Sequence, residues 1–406
     1  MTKKLSVALL LLFLGLPLSA TGPKFIKKPD GVQGKYVVRL TDESFSTRHE
    51  KRAQLTGMFG GKVSHIYNQV FPGFAVELPE AAAMALANHP AVLSVTEVSP
   101  VYPIRPAGWA LDRIDQRGYP LNGDFADECS GRGGGVSAYI IDTGINPHPE
   151  FGTRLRNGFT VTPGNFADTI GHGTSVASIV GGSTVGVAPA VELVNVKVDR
   201  SDPLTFTDDL IAGIDWVIQD HEPSCELCPQ KKAVANISLL TFGNEDIDDA
   251  VRRLEGAGIF VAIGAGNGQV QLPNTAPDDT CVFSPQRVGR DLANTMTVSA
   301  TMRVGSSDAR AEGTNWSANT GDCVEIFAPG MAVDAAGPNG GFIQADGTSM
   351  AAPYVAGQAA RMRSGGWGVY VENWIRQNAT PNVVANAGTG SPDLLLYTIF
   401  APRCRP

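Results

Sequence analysis

The chain has 406 residues, of which 43% are hydrophobic and 18% are charged, which is enough for two or three globular domains with sizeable cores. The net charge is −8, and the sequence contains no cluster of Lys and Arg. Composition therefore excludes nucleic acid as an expected partner.

Residues 1–20 have the pattern of a secretory signal peptide. Two lysines precede an apolar run from Leu5 to Leu16, which is too short to span a bilayer comfortably, and the pattern ends in small residues at Ala20. We therefore expect cleavage near Ala20 and a secreted, extracellular product. No later stretch approaches eighteen consecutive apolar residues, so no membrane segment is expected in the mature chain.

Residues 24–100 are predicted to form a small α+β domain. Within them a strand, a helix, two short strands, a helix that Pro90 ends and a last strand follow one another. This β-α-β-β-α-β order is the ferredoxin-like, split-βαβ arrangement. Three prolines in 99–108 then predict an extended linker, assigned to 101–106, in which Arg105 offers an exposed cleavage point.

From Val136 onward, strands alternate with helices. This order predicts an α/β fold with a doubly wound, mostly parallel sheet and helices on both faces. The strands are continuous apolar runs, as expected where both faces of a sheet are buried. Functional residues of such sheets collect beyond the carboxyl ends of the strands. We assign this domain to 107–399 and a C-terminal tail to 400–406.

Three polar residues stand out by their local sequence. Asp142 ends the apolar run AYIID and is followed at once by Thr-Gly, so the chain turns there. His172 lies between two glycines at the start of a helical stretch, and Ser349 lies in the first turn of the helical stretch GTSMAAPYVAG. Alone, each residue also suits a structural role, as a turn cap, a core histidine or a serine in a packed helix. Together they supply a nucleophile, its base and the carboxylate that orients the base.

The segment GTSMAAPYVAG also contains a proline. We expect Pro353 in the first turn of the helix, where its missing N–H has no helical acceptor. The small residues allow this helix to pack deep in the core. Ser349 would then lie at the positive end of the helix dipole, which suits a site that must hold a negative oxygen.

The segments YIIDTGI, GHGTSVA and GTSMAAPYVAG, in this order, resemble the three signature blocks of the subtilisin-like serine proteases (peptidase family S8). The likeness covers roughly 107–399, and its finer features resemble the proteinase K branch. Residues 24–100 resemble the inhibitor I9-type propeptide of such enzymes. The resemblance implies a secreted serine endopeptidase that acts through an acyl-enzyme and is made as an autoprocessed preproenzyme. It implies a catalytic triad of Asp142, His172 and Ser349.

The resemblance also implies which residues surround the substrate. Asn267 matches the asparagine that holds the oxyanion together with the Ser349 backbone N–H, although it also suits a turn before Gly268. Two groove edges would pair with an extended peptide by strand addition. Leu240 and Pro203 stand where the family usually has glycine-rich segments, which predicts a narrowed or reshaped cleft. The implied substrate-binding residues are Ser238, Leu239, Leu240, Ala265, Gly266, Pro203 and Leu204.

No cofactor is expected for catalysis, but the resemblance implies a structural calcium ion. Glu325 stands where the proteinase K branch often has a calcium-binding aspartate, and the backbone carbonyls near Ala293 and Thr295 would complete the site. A plain surface carboxylate is the alternative for Glu325. The implied partners are protein or peptide substrates and the chain's own propeptide, which acts as intramolecular chaperone and inhibitor. The mature enzyme is expected to be a monomer.

The chain has six cysteines, and secretion favours disulfides over metal binding for them. The family resemblance implies the pair Cys281–Cys323. It also places Cys228 at a disulfide position, for which Cys129 would be the partner. Cys225 and Cys404 either pair with each other or stay free.

Two rival functions come from other classes. The first is a non-catalytic binding protein on a subtilisin scaffold, which the altered groove edges favour and the complete triad with Asn267 disfavours. The second is a serine esterase of the α/β-hydrolase type. That class needs G-x-S-x-G and the order Ser, acid, His, whereas Ser349 lies in GTSMA and comes last. The sequence therefore predicts a peptidase.

Overall fold

The structure is a computed structural model, which describes residues 24–28, 32–41, 53–67, 69–98, 108–125, 131–200, 205–223, 231–268, 279–368 and 371–398. The chain divides into two compact units, 1–103 and 104–406. No helix in the described part of the chain is both long and apolar enough to cross a membrane.

Within the described residues, the first unit is a five-stranded sheet with two helices. The strands are ordered β1-β5-β2-β4-β3, and all neighbours are antiparallel except β1 and β5. The sheet contains the predicted β-α-β-β-α-β order, preceded by the short strand β1. Tyr36, Phe74 and Leu86 are buried in its core. The elements are β1 (Phe25–Ile26), β2 (Lys35–Leu40), α1 (53–59), β3 (Lys62–Tyr67), β4 (Gly73–Glu77), α2 (Glu80–Ala87) and β5 (Val92–Glu97).

The second unit contains the remaining elements. Its helices are α3 (Trp109–Ile114), α4 (His172–Gly181), α5 (Thr207–His221), α6 (Glu245–Gly256), α7 (Thr348–Ser364) and α8 (Val371–Asn378), with 3₁₀ turns at Thr280–Val282 and Gln286–Asp291. Its longer strands are β6 (Val136–Asp142), β7 (Leu155–Thr160), β8 (Glu192–Lys197), β9 (Lys232–Ile237), β11 (Phe260–Gly264), β14 (Thr295–Val304), β15 (Ser307–Arg310), β17 (Ile326–Pro329), β18 (Val333–Ala336) and β19 (Phe342–Ala345). Its two-residue strands are β10 (Thr241–Phe242), β12 (Asn267–Gly268), β13 (Phe283–Ser284), β16 (Ser317–Ala318), β20 (Thr380–Pro381), β21 (Val384–Ala385) and β22 (Leu394–Leu395).

One large sheet organises the second unit, with the path β20-β22-β17-β14-β11-β9-β6-β8-β7. From β22 to β7 every pairing on this path is parallel. Two pairs are antiparallel: β20–β22 at one end of the path, and β14–β15, in which β15 lies off the path. The predicted doubly wound, mostly parallel α/β fold is therefore confirmed.

Helices cover both faces of this sheet because its side chains alternate between two cores. Along β6, Ala138 and Ile140 pack with α4 and α7, whereas Tyr139 and Ile141 pack with α5 and α6 on the other face. All four side chains are at most 1% exposed. Burial on both faces explains why the strands are continuous apolar runs and fixes the ends of β6, α4 and α7.

Cys281 and Cys323 form a disulfide with an Sγ–Sγ distance of 2.11 Å, which confirms that predicted pair. Cys129, Cys225, Cys228 and Cys404 lie outside the described residues, and so does the predicted pairing of Cys129 with Cys228.

Candidate active site

Asp142 and His172 meet at the carboxyl end of β6. Asp142 is the last residue of that strand and is fully buried, and its Oδ1 lies 2.7 Å from Nδ1 of His172. The same oxygen accepts a hydrogen bond from the backbone N–H of Thr143 at 2.7 Å. Because an ionised carboxylate can only accept hydrogen bonds, this contact places the proton of the neutral imidazole on Nδ1 and leaves Nε2 as an acceptor.

The start of α4 holds the imidazole in place. Gly171 precedes the helix with φ of 90°, a conformation that suits glycine. A Cβ on Gly173 would lie 2.2 Å from the carbonyl oxygen of Gly144, so only glycine allows the helix to approach the turn after Asp142 this closely. The two glycines that flank His172 therefore serve packing and conformation.

Asp168, which was not predicted from the sequence, joins this turn to the helix. Its buried carboxylate accepts hydrogen bonds from the Thr143 hydroxyl at 2.9 Å and from the Gly171 and Thr174 backbone N–H groups at 2.7 and 2.8 Å. No local capping pattern indicates this role, because Asp168 lies three residues before the N-cap Gly171.

His172 carries the electrostatic signature of a paired base. Burial lowers the pKa of His172, but the charge and hydrogen bond of Asp142, with a further contribution from Asp168, raise that pKa above its ordinary value of 6.5. The side chain keeps 27% of its surface exposed, so the imidazole is reachable from solvent while its partner Asp142 is not.

Ser349 lies in the first turn of α7, after Gly347 with φ of 121°. It is partly exposed between the buried residues Thr348 and Met350. Its Oγ donates a hydrogen bond of 3.5 Å to the carbonyl oxygen of Ser238, and within the described residues none joins it to His172. Catalytic hydrogen bonds are often long without substrate and tighten when it binds.

The prediction for Pro353 was wrong in one respect. Pro353 is the sixth residue of α7, so the acceptor it leaves without a helical partner is the carbonyl oxygen of Ser349. The Ser238 hydroxyl donates to that oxygen at 3.1 Å and replaces the lost bond. The hydroxyl of Ser238 therefore contacts the backbone of Ser349, and the backbone carbonyl group of Ser238 contacts the side chain of Ser349.

Asn267 faces the same helix end. Its Oδ1 accepts a hydrogen bond of 2.9 Å from the Thr348 backbone N–H, and the Thr348 hydroxyl accepts one of 2.9 Å from the Gly266 backbone N–H. This pairing directs the Nδ2 donor of Asn267 away from Thr348. The Ser349 N–H, in the first turn of α7, has no acceptor within the helix.

A pocket of about 210 Å³ adjoins Ser349. Its lining includes the predicted residues Ser238, Leu239, Leu240, Gly266, Asn267 and Ser349. It also includes five residues that were not predicted from the sequence to bind substrate, namely Gly264, Phe283, Gln286, Asn319 and Thr348.

One described residue among the predicted groove residues does not line this pocket. Ala265 is fully buried and belongs to a small core with Val324 and Phe327, not to the pocket lining. Pro203 and Leu204 lie outside the described residues. Leu240 lies close to the opposite wall, since a Cβ on Gly266 would meet its Cδ2 atom at 2.7 Å.

The carboxylate of Glu325 is occupied by protein groups. One oxygen accepts a hydrogen bond of 2.8 Å from the Thr297 backbone N–H, and the other forms an ion pair with Arg376. Burial raises the pKa of Glu325 to about 7 against the lowering effects of these two partners. Within the described residues, no hydrogen bond or ion pair joins its carboxylate to Ala293 or Thr295, and no group of three or more His, Cys, Asp or Glu side chains is arranged to hold a metal. A carboxylate that already binds a guanidinium does not fit the implied calcium site.

Two regions of the chain match known protein families. Residues 133–392 match the subtilase family, and residues 35–102 match the peptidase inhibitor I9 family. The chain is similar to an extracellular serine proteinase of Thermus sp. (strain Rt41A), with 38% identity over 85% of this chain and 80% of the relative. It is similar to alkaline serine exoprotease A of Vibrio alginolyticus, with 34% identity over 86% of this chain and 63% of the relative.

A solved structure gives the same result. The chain is similar to a cold-adapted subtilisin-like serine proteinase, with a TM-score of 0.63 and 35% identity, over 73% of this chain and 99% of that protein. Residues 133–392, which match the subtilase family, contain β6, α4 and α7, and with them the Asp142–His172 pair and Ser349. The chain therefore belongs to the subtilase family, as a serine endopeptidase that carries a peptidase inhibitor I9 domain ahead of its catalytic domain.

Proposed function

We propose that this chain is a secreted endopeptidase that hydrolyses peptide bonds through an acyl-enzyme intermediate on Ser349. The observation that carries the proposal is the 2.7 Å hydrogen bond between His172 and the fully buried Asp142. This pair lies at the carboxyl edge of the large sheet, where α7 also begins. A buried carboxylate behind a reachable imidazole is the arrangement that makes a neighbouring hydroxyl nucleophilic.

In the first half-reaction the Ser349 Oγ attacks the scissile carbonyl carbon, and its proton passes to Nε2 of His172. Asp142 stabilises the imidazolium by accepting from Nδ1–H. The carbonyl oxygen becomes an oxyanion, which accepts hydrogen bonds from Nδ2 of Asn267 and the Ser349 backbone N–H. The intermediate then collapses, the peptide C–N bond breaks, and His172 gives its proton to the leaving amine.

In the second half-reaction water attacks the acyl ester. His172 takes one proton from that water, and the oxyanion forms again in the same site. Collapse breaks the bond to Oγ, returns the proton to Ser349 and releases the carboxylic acid. All proton transfers use His172, so the mechanism we propose requires no cofactor.

We also propose that the I9 domain acts on its own peptidase domain. It would assist folding, remain bound as an inhibitor after cleavage between about Ser99 and Ala107, and release a monomeric enzyme outside the cell. The match of residues 35–102 to an inhibitor family and the signal-like pattern of residues 1–20 support this route.

The experiment is expression of the full chain as wild type and as Ser349→Ala. The wild type is expected to be shortened to the mature length and to digest casein, whereas the variant is expected to stay at full length and leave casein intact. Processing and casein digestion by purified Ser349→Ala would overturn the proposal. A folded wild type that reacts with no serine-directed probe would favour the binding-protein alternative.

A further inference from the structure

Three charged side chains join α8 to the start of β17. Nη2 of Arg376 contacts Oε1 of Glu325 and lies 2.5 Å from Oε1 of Glu372, and Nε of Arg376 donates to that Glu372 oxygen at 2.7 Å. The Glu325 and Glu372 side chains are 1% and 10% exposed, whereas the Arg376 side chain is 41% exposed. The guanidinium therefore covers two nearly buried carboxylates on their solvent side.

The second oxygen of Glu325 is bound by the sheet. It accepts a hydrogen bond of 2.8 Å from the Thr297 backbone N–H, and a Cβ on Gly289 would lie 2.7 Å from it. The Thr297 hydroxyl in turn donates to the carbonyl oxygen of Gln286 at 2.8 Å. The carboxylate therefore joins α8 to β14 and to the 3₁₀ turn that begins at Gln286, a residue in the lining of the pocket beside Ser349.

Both oxygens of Glu325 are occupied by groups that donate hydrogen bonds. Within the described residues, the hydrogen bonds and ion pairs of this carboxylate are those with the Thr297 N–H and the Arg376 guanidinium. A calcium ion needs about six to eight oxygen ligands, each at about 2.3–2.6 Å, and a guanidinium on the same oxygen would repel it. The contacts of Glu325 therefore suit the guanidinium and not a metal ion.

We propose that Arg376 is the built-in cation of this site: its guanidinium takes the place of the calcium ion that the family resemblance implies at Glu325, and it excludes divalent metal there. A cation that belongs to the chain does not have to be bound from solution, so α8, β14 and the 3₁₀ turn are joined at any calcium concentration. Removal of the Arg376 side chain would open the carboxylates of Glu325 and Glu372 to solvent and create a calcium site that the wild type lacks. The inference is independent of the proposed peptidase activity.

The test is the rise in the midpoint of thermal unfolding, Tm, between excess EDTA and excess calcium chloride, measured on the purified protein with a serine-directed inhibitor present to prevent autolysis. Calcium bound elsewhere in the chain contributes equally to every variant, so differences between variants report on this site. The wild type and Glu325→Gln are expected to show the same rise. A smaller rise in Glu325→Gln would show that calcium binds at Glu325 beside Arg376 and would overturn the proposal.

Arg376→Met removes the charge and keeps an unbranched side chain. Its rise in Tm with calcium is expected to exceed that of the wild type by about 5 °C, as for one added site of about millimolar or tighter affinity. The double variant Glu325→Gln/Arg376→Met is expected to lose this gain. Absence of a gain in Arg376→Met, or a gain that the double variant keeps, overturns the proposal.

Two further variants are controls. Arg376→Lys keeps the positive charge, and Arg252→Met removes an exposed arginine that pairs with Asp249, so neither is expected to gain a calcium response. A gain in Arg252→Met as large as that in Arg376→Met would also overturn the proposal. Folding of Arg376→Met in calcium alone supports it. The comparison of the wild type with Glu325→Gln decides if Arg376→Met folds in neither condition.

Discussion

Nδ1 of His172 lies 2.7 Å from Oδ1 of Asp142, in a pair whose carboxylate is fully buried and whose imidazole keeps 27% of its surface exposed. The two residues are thirty positions apart in the sequence. They meet because β6 ends where α4 begins, and because Asp168 joins the turn after Asp142 to the first turn of that helix. These hydrogen bonds therefore hold Nδ1 of the imidazole in place, and Nε2 is the nitrogen that we propose takes the proton of Ser349.

Replacing Asp142 with Asn tests the role of the carboxylate. An amide at this position can donate to Nδ1 and so favours the wrong imidazole tautomer, which predicts a fall in kcat of about 10⁴-fold while the fold is kept. The measurement is kcat on a peptide substrate, with circular dichroism as the check on folding. Asp249→Asn, in an exposed ion pair, is the matched control and is expected to leave kcat unchanged. Wild-type kcat in Asp142→Asn would contradict this role.

The raised pKa of His172 predicts the pH dependence of catalysis. Only the neutral imidazole can take a proton from Ser349, so kcat/KM should rise with pH as His172 loses its proton. Because Asp142 and Asp168 outweigh burial, the midpoint of that rise is expected above the ordinary value of 6.5. A pH profile of kcat/KM provides the midpoint, and a value at or below 6.5 would show that the carboxylates do not dominate.

Asn267 makes a structural hydrogen bond with the Thr348 N–H and is proposed to donate a catalytic one to the oxyanion, and two variants separate these roles. Asn267→Ala loses both, whereas Asn267→Asp keeps an acceptor for the Thr348 N–H but has no Nδ2 donor. We expect both variants to lose about 10²–10³ in kcat with little change in KM, as is typical when an oxyanion donor is removed. Asp should preserve the start of α7 better than Ala, which thermal unfolding can measure. Full activity in either variant would remove Asn267 from the oxyanion site.

The ion pair between Glu325 and Arg376 is predicted to stabilise the fold in a pH-dependent manner. Arg376→Leu leaves the buried carboxyl without its charged partner, which should cost about 1.5–3 kcal/mol of unfolding free energy. Glu325 has a raised pKa of about 7, so its contribution to stability weakens as pH rises through that value. Above pH 7 the buried carboxyl is charged, and the charged form depends on Arg376 more than the neutral form does. The cost of Arg376→Leu in unfolding free energy is therefore expected to be larger above pH 7 than below it.

Urea unfolding at several pH values measures this cost. Arg252→Leu is the control, because Arg252 forms an exposed pair with Asp249 and such pairs contribute little. Equal costs for the two arginine variants, or a cost that falls with rising pH, would contradict this account of Glu325.

The sequence was sufficient to predict the fold and the elements that contain Asp142, His172 and Ser349. Continuous apolar strands alternating with helices predicted the doubly wound sheet, and the turn directly after Asp142 placed that residue at its carboxyl edge. His172 and Ser349 were both expected in the first turn of a helix, and in the structure Gly171 and Gly347, each with positive φ, precede those helices. These features are local, so a single sequence reveals them.

Features that depend on contacts between distant segments were not predictable in the same way. Gln286 joins the carbonyl groups of Leu239 and Gly264, and no local pattern around it indicates that position. Pro353 was expected in the first turn of α7, but the hydroxyl that replaces its missing donor comes from Ser238, more than a hundred residues away. Such replacements become visible only when the chain is folded.

The central claim is that Ser349 is a nucleophile activated by His172. The direct measurement is labelling of the purified wild type with a fluorophosphonate probe, followed by peptide mapping of the modified residue. We predict a single label on Ser349, strong reduction of labelling in His172→Ala, and none in Ser349→Ala. Absence of labelling in a folded wild type, or labelling of equal rate in His172→Ala, would contradict the account.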